Sequence, residues 1–160
     1  MRVVVLGVGN ILMTDEGVGV RAVEELERLY DLAPEVTVID GGTSGMDCLD
    51  QIAEVDHLLI ADAMRSGAEP GTLKRVDHDQ LAAHFKTKLS PHQVGLSDVL
   101  ATLNLHGMMP RRVVLFGMQP KSFATAMELS PEIEARLPAL VDALVDELAA
   151  LGFAPRRKAA

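Results

Sequence analysis

This 160-residue chain has one cysteine, no tryptophan, one tyrosine and four phenylalanines. The lone Cys48 excludes an internal disulfide and suits a reducing compartment. No basic residue neighbours it in Gly45-Met46-Asp47-Cys48-Leu49, so it reads as a small buried hydrophobe rather than a nucleophile. No apolar run approaches the roughly 18 residues a membrane span needs. The opening Val3-Val4-Val5-Leu6 run lacks the basic region, longer apolar stretch and cleavage site of a secretory signal, so the expectation is a cytoplasmic protein. Clustered Lys and Arg are missing too. A net charge of −8 argues against nucleic acid, whose phosphates demand basic clusters. The one compact basic group, Arg156-Arg157-Lys158, reads as a solvated tail.

Several nucleotide and nucleophile motifs are also absent. Gly7-Val8-Gly9-Asn10 follows an apolar run, but a dinucleotide fingerprint needs a third glycine where Leu12 stands. The phosphate-cradling Gly-x-x-x-x-Gly-Lys-Ser/Thr loop does not occur, and Gly42-Thr43-Ser44-Gly45 has the wrong spacing for a serine elbow.

What is present is an alternation of short β-rich runs with amphipathic stretches, the signature of a parallel sheet covered by helices. Strands are expected at 2–8, 36–39, 57–61 and 112–117, with an edge strand at 72–76. Helices are expected at about 16–30, 46–55, 79–85, 96–105 and 131–151. In the first helix Val20, Val23, Leu26 and Tyr30 recur at helical spacing, and that stripe should face the sheet. Ser130 can cap the last helix with Pro131 in its first turn, while Pro138 allows a kink or a later start. The fold class is therefore α/β: a single-domain, twisted, mostly parallel five-stranded sheet with helices on both faces. Residues 1–152 form the domain and 153–160 a flexible basic tail.

Three side chains stand out on this plan. Glu16, Asp62 and His92 each sit at a strand exit or between elements on the edge where the loops leaving parallel strands converge. Asp62 follows Leu58-Leu59-Ile60-Ala61, and a carboxylate leaving so buried a segment must meet a cation, amides or water. Asp15, beside Glu16, is the candidate to cap the helix that follows. Ser90-Pro91-His92-Gln93 reads as a stiff turn ahead of a helix, with its imidazole aimed at low entropic cost. Two carboxylates and an imidazole in one cleft would make a metal site with open positions.

Taken with Gly7-Val8-Gly9-Asn10, Asp15-Glu16-Gly17-Val18-Gly19, Asp40-Gly41-Gly42-Thr43, Asp62, Ser90-Pro91-His92-Gln93 and Gly117-Met118-Gln119-Pro120, the chain resembles the maturation endopeptidases of [NiFe] hydrogenases. The resemblance runs through nearly the whole chain. It implies removal of a C-terminal peptide from a hydrogenase large subunit after nickel insertion, with substrate-borne Ni2+ as the recognition element. It further implies Glu16, Asp62 and His92 as metal-binding positions, which Zn2+ or Cd2+ could also occupy. Gly9, Asn10, Gly41, Gly42, Thr43 and Gln119 would shape the site, and Asp15 or Asp40 would relay a proton. The expected partner is the nickel-loaded precursor, met by a monomer. Met118, Phe123 and Met127 could touch that partner, although core packing is preferred with eight methionines and so few aromatics.

Two other readings share the opening turn. A peptidyl-tRNA hydrolase would need a basic face and a histidine soon after Gly9-Asn10, whereas the first histidine is His57. A metal- or nucleotide-sensing binding module on the same sheet would not cut peptide.

Overall fold

A computed structural model describes residues 1–43, 45–87 and 91–159, with the side chains of 87 and 91–95 outside that description. In chain order the elements are β1 (Val3–Gly7), a 3-10 turn (Thr14–Gly17), α1 (Val18–Leu29), β2 (Tyr30–Asp31) and β3 (Val36–Asp40). A second 3-10 turn (Met46–Cys48) leads into α2 (Leu49–Ile52) and β4 (His57–Ala63). Then come β5 (Leu73–Val76), a third 3-10 turn (His78–Gln80), α3 (Leu81–Thr87), α4 (Pro91–Leu105), β6 (Arg112–Met118), α5 (Pro131–Ala150) and β7 (Arg156–Arg157).

The main sheet has five strands in the order β3-β1-β4-β6-β5. All neighbours are parallel except β5, which runs antiparallel to β6. This is the expected fold. Alternate strand residues point to opposite faces, so the run Val3 to Leu6 feeds two cores. Val3, Val5, Leu59 and Val114 pack with Val23 and Leu26 of α1 and Ile133, Leu140 and Leu144 of α5. Val4, Leu6, Leu58 and Leu115 pack on the other face with Ile52, Leu96, Val99 and Leu103. Strands covered on both sides read as continuous apolar runs, which is why β1 shows no polar alternation. The edge strand β5 exposes Lys74 and Arg75, charges that discourage pairing with another chain.

Several boundaries differ from the sequence expectation. β4 continues through Asp62↔Gly117 and Ala63↔Met118 because β6 is long enough to extend the ladder. Asp62 is thus inside the strand rather than beyond it. The first helix is preceded by the 3-10 turn at 14–17, and the second breaks up before Glu54, whose φ is +59°. α4 starts at Pro91, so His92 stands in its first turn and not in a turn ahead of it. α5 continues through Pro138 as one element, with Ile133 and Leu140 buried on either side of the proline. The tail is not free: Arg156–Arg157 pairs antiparallel with Tyr30–Asp31, and Lys158 donates through Nζ to Glu27 O at 2.8 Å.

β1 leads to β3 on one side, and the chain then crosses back to β4 on the other. The switch point of the sheet therefore lies between β1 and β4, at the carboxyl ends of those strands.

Candidate functional site

Both acidic residues singled out earlier flank that switch point. Leaving β1, Val8 N–H donates to Ala61 O of β4 at 3.0 Å, and Gly9 N–H donates to Gly42 O at 2.7 Å. Gly9 has φ +145°, and a Cβ there would collide with the carbonyl oxygen of Glu16. Only glycine lets the turn at 14–17 fold back this closely over the strand exit. Asn10 holds the bend: its Oδ1 accepts from Leu12 N–H at 3.0 Å and its carbonyl accepts from Met13 N–H at 3.1 Å. Gly19, in the first turn of α1, lies so near β4 that a Cβ would meet Ala61 O. The turn carrying Glu16 is thereby packed against the strand carrying Asp62.

Three carboxylates are buried here. Asp15 and Asp62 are fully inaccessible and Glu16 is 7% exposed. Ionised side chains are almost never buried unless paired or bound to a cation. Asp62 Oδ1 accepts from Ala63 N–H at 2.8 Å. Asp15 is fully engaged within the protein. Its Oδ2 accepts from Lys121 N–H at 2.9 Å, Ser122 N–H at 2.9 Å and Ser130 Oγ at 2.7 Å, and its Oδ1 accepts from Ser130 N–H at 2.8 Å.

This corrects two capping expectations. Asp15 does not cap the helix that follows: Gly17 holds the N-cap position of α1, and no side chain bonds to it there. Ser130 does occupy the N-cap of α5, but its hydroxyl turns to Asp15 instead of its own helix. A buried carboxylate needs several donors, and the short turn at 14–17 supplies none to it; the loop at 119–130 supplies them.

Asp40 differs from Asp15 in being exposed at the end of β3. Its Oδ1 accepts from Gly42 N–H at 2.9 Å, an Asx turn, and Gly41 N–H donates to Gly7 O at 2.8 Å. Thr43 is exposed beyond it. Gln119 is a latch between loops. Its Oε1 accepts from Ser66 N–H at 2.7 Å and from Ser66 Oγ at 3.3 Å, tying the exit of β6 to the exit of β4. Beside it, the Arg65 guanidinium carbon lies 4.0 Å from the Phe123 ring centroid. Phe123 and its loop therefore have partners within the chain. Met118 is fully buried, as packing predicts, whereas Met127 is exposed.

α4 runs back toward the start of β6 and packs on the Met46–Cys48 turn beyond β3. The His92 side chain lies outside the described residues. Among the described residues no group of three His, Cys, Asp or Glu side chains is placed to hold a metal ion. What the described part contributes is two buried carboxylates, Glu16 and Asp62, at one sheet edge.

The other histidines go elsewhere. His78 Nδ1 accepts from Val113 N–H at 2.9 Å, His84 is buried against Phe85, and His106 Nδ1 contacts Thr102 O at 2.9 Å. Cys48 is buried, and burial pushes its thiol pKa up, with Asp47 and Asp40 adding to the shift. A thiol kept protonated is a poor nucleophile, which agrees with its reading as a small hydrophobe.

The chain is similar to known proteins over most of its length. The sequence model of the hydrogenase maturation proteases matches residues 20–147. The chain is 47% identical over 146 residues to a hydrogenase 2 maturation protease of Escherichia coli strain K12, covering 90% of this chain and 89% of that protein. It is 38% identical over 161 residues to a hydrogenase expression/formation protein, HupD, of Bradyrhizobium diazoefficiens, covering 99% of this chain and 84% of the other. The structure of the hydrogenase maturating endopeptidase HybD from E. coli superposes with a TM-score of 0.92 at 42% identity, covering 99% of this chain and 98% of that one. A [NiFe] hydrogenase maturation protease from Thermococcus kodakarensis superposes with a TM-score of 0.76 at 26% identity, over 93% of this chain and 99% of the other.

Proposed function

The chain belongs to the hydrogenase maturation protease family, and from that premise we propose that it removes the C-terminal extension of a [NiFe] hydrogenase large-subunit precursor once nickel is in place. The observation that carries the metal-dependent part is the pair of buried carboxylates, Glu16 and Asp62, on touching elements beside the sheet's switch point. Ni2+ accepts carboxylate oxygen together with imidazole nitrogen, and two buried carboxylates at one edge are oxygen donors of that class. His92, in the first turn of α4, is the proposed third ligand. The same donors would accept Zn2+ or Cd2+.

In this reading the nickel arrives as part of the substrate. It supplies Lewis acidity to the scissile carbonyl or to a water, and three protein ligands leave it positions for substrate groups. Glu16, Asp62 and His92 hold the substrate's metal-bearing segment in register, so the protease recognises nickel before it cuts. Proton transfer falls to Asp40: it is exposed, and one backbone N–H engages its Oδ1. Asp15, with four donors already on its two oxygens, is poorly placed for that role. Leu12 and Met127 stand exposed next to the turn, joined through the Ala126 N–H to Leu12 O bond at 3.0 Å, and offer apolar contact to a peptide. The protein would act as a monomer in the cytoplasm; among its described residues no helix is long and apolar enough to cross a membrane.

The test compares cleavage of purified precursor with and without nickel. Cleavage of the nickel-loaded form alone is the expected result. Equal cleavage of both forms would remove nickel as a recognition element and leave a protease that reads peptide sequence.

A further inference from the structure

Asp15 is a buried carboxylate for which the proposed chemistry has no use, yet it accepts four hydrogen bonds. We infer that Asp15 is a positioning residue: by clamping the loop at 119–130 onto the turn at 14–17, it fixes the neighbouring Glu16 where a metal-bearing substrate needs it. The inference rests on the reading of Glu16 as a metal ligand.

The turn cannot hold its own shape. It is a four-residue 3-10 segment with no side-chain cap, and Thr14 has φ +50°, an uncommon conformation for a residue with a Cβ. What fixes it comes from 106 to 115 residues further along the chain. Thr14 N–H donates to Ala126 O at 2.9 Å, Thr14 Oγ1 donates to Ala124 O, and Asp15 N–H donates to Ser122 O at 3.2 Å. Asp15 returns four bonds to the same loop through Lys121, Ser122 and Ser130.

The last of these partners is rigid. Ser130 N–H stands at the N-terminus of the twenty-residue helix α5, where backbone amides and the helix dipole favour a negative charge. Asp15 thus caps α5 from another element. A helix buried through Ile133, Leu140 and Leu144 is coupled through one carboxylate to the backbone of Glu16. Four donors on the Asp15 carboxylate leave little freedom for the next residue in a turn this short. At the other end Gln119 and its bonds to Ser66 close the frame around the exit of β4.

A proton relay and a positioning residue predict different behaviour of two variants. In Asp15→Asn an amide NH2 must face at least one donor, so the clamp loosens. In Ser130→Ala the carboxylate remains and one of its bonds is lost. The readouts are binding of Ni2+ alone by calorimetry, backbone hydrogen exchange at Glu16, Lys121, Ser122 and Ser130, and the pH profile of precursor cleavage. For positioning, Asp15→Asn binds Ni2+ about tenfold more weakly, the scale for residues that orient metal ligands, and the four amides exchange faster. Ser130→Ala shifts both readouts in the same direction by less, and the residual activity of each variant keeps the parent's pH profile.

Loss of cleavage in Asp15→Asn with Ni2+ affinity and exchange unchanged would overturn the inference and restore a proton relay. So would a Ser130→Ala variant indistinguishable from the parent in both measurements. If the parent itself takes up no Ni2+ alone, it is the metal reading of Glu16 that loses support; the exchange rates still decide whether Asp15 holds the turn.

Discussion

Two irregular segments of this chain are tied down by polar bonds over long sequence distances, and they are tied in opposite ways. The loop at 119–130 is held by a buried anion: Asp15 gathers three backbone amides and a hydroxyl away from water. The C-terminal ribbon is held by exposed cations: Lys158 Nζ reaches Glu27 O, and Arg157 reaches the Tyr30 hydroxyl at 3.4 Å while lying over its ring. Bond for bond the two look comparable on paper. Burial separates them, because each donor on Asp15 would lose its partner in a place water cannot replace it, whereas the ribbon's groups return to solvent. The clamped loop stands beside the proposed site and the ribbon does not.

The largest effect should come where buried charge meets substrate. Glu16→Ala, Asp62→Ala and His92→Ala should each lower precursor cleavage by at least about 100-fold, since even residues that merely orient metal ligands reach that scale. Circular dichroism should report folded protein for all three. A variant with full activity removes its residue from the ligand set.

The next effect is on stability. Asp15→Ala leaves the amides of Lys121, Ser122 and Ser130 without their acceptor in the interior, a loss of about 3 kcal/mol. For a domain of this size that is a fall of about 6–12 °C in thermal midpoint. Calorimetry decides it, and a fall no larger than that of a ribbon variant would erase the contrast between the two segments.

The comparison also marks where the sequence is readable. Apolar runs such as Val3-Val4-Val5-Leu6 announce strands buried on both faces, and the alternation of runs with amphipathic stretches announces a parallel sheet. Asp62 stands out because a charge at the end of a buried strand conflicts with its surroundings locally, and Glu16 because it adjoins a second acid in the loop after a glycine turn. The sequence puts Asp62 just beyond its strand, but strand length depends on the partner, and β6 extends the ladder by two pairings, Asp62↔Gly117 and Ala63↔Met118. The Asp15–Ser130 clamp spans 115 residues and leaves no periodic trace. Each residue instead fits a local capping role, so the nearer explanation hid the longer one. The ribbon was missed for a related reason: three basic residues at the end of a chain look solvated until Tyr30 and Glu27 are known to be adjacent.

The smallest effect belongs to the ribbon, and it carries a pH signature. The Glu25 carboxyl is held below the usual carboxylate range mainly by its bond to Arg28, with Arg157 a minor contributor. A carboxylate whose folded pKa is depressed adds stability above its unfolded value, and that stability disappears as pH falls through the folded value. Arg157→Ala should therefore lower the thermal midpoint by only about 1–2 °C at pH 7, as befits an exposed pair. The difference should narrow as pH falls below the usual carboxylate range and Glu25 takes up its proton. What remains at low pH is the contact of Arg157 with the Tyr30 ring and hydroxyl. A midpoint shift as large as that of Asp15→Ala would make the ribbon a structural clamp in its own right; exposed cations would then be holding this chain together as firmly as its buried anion.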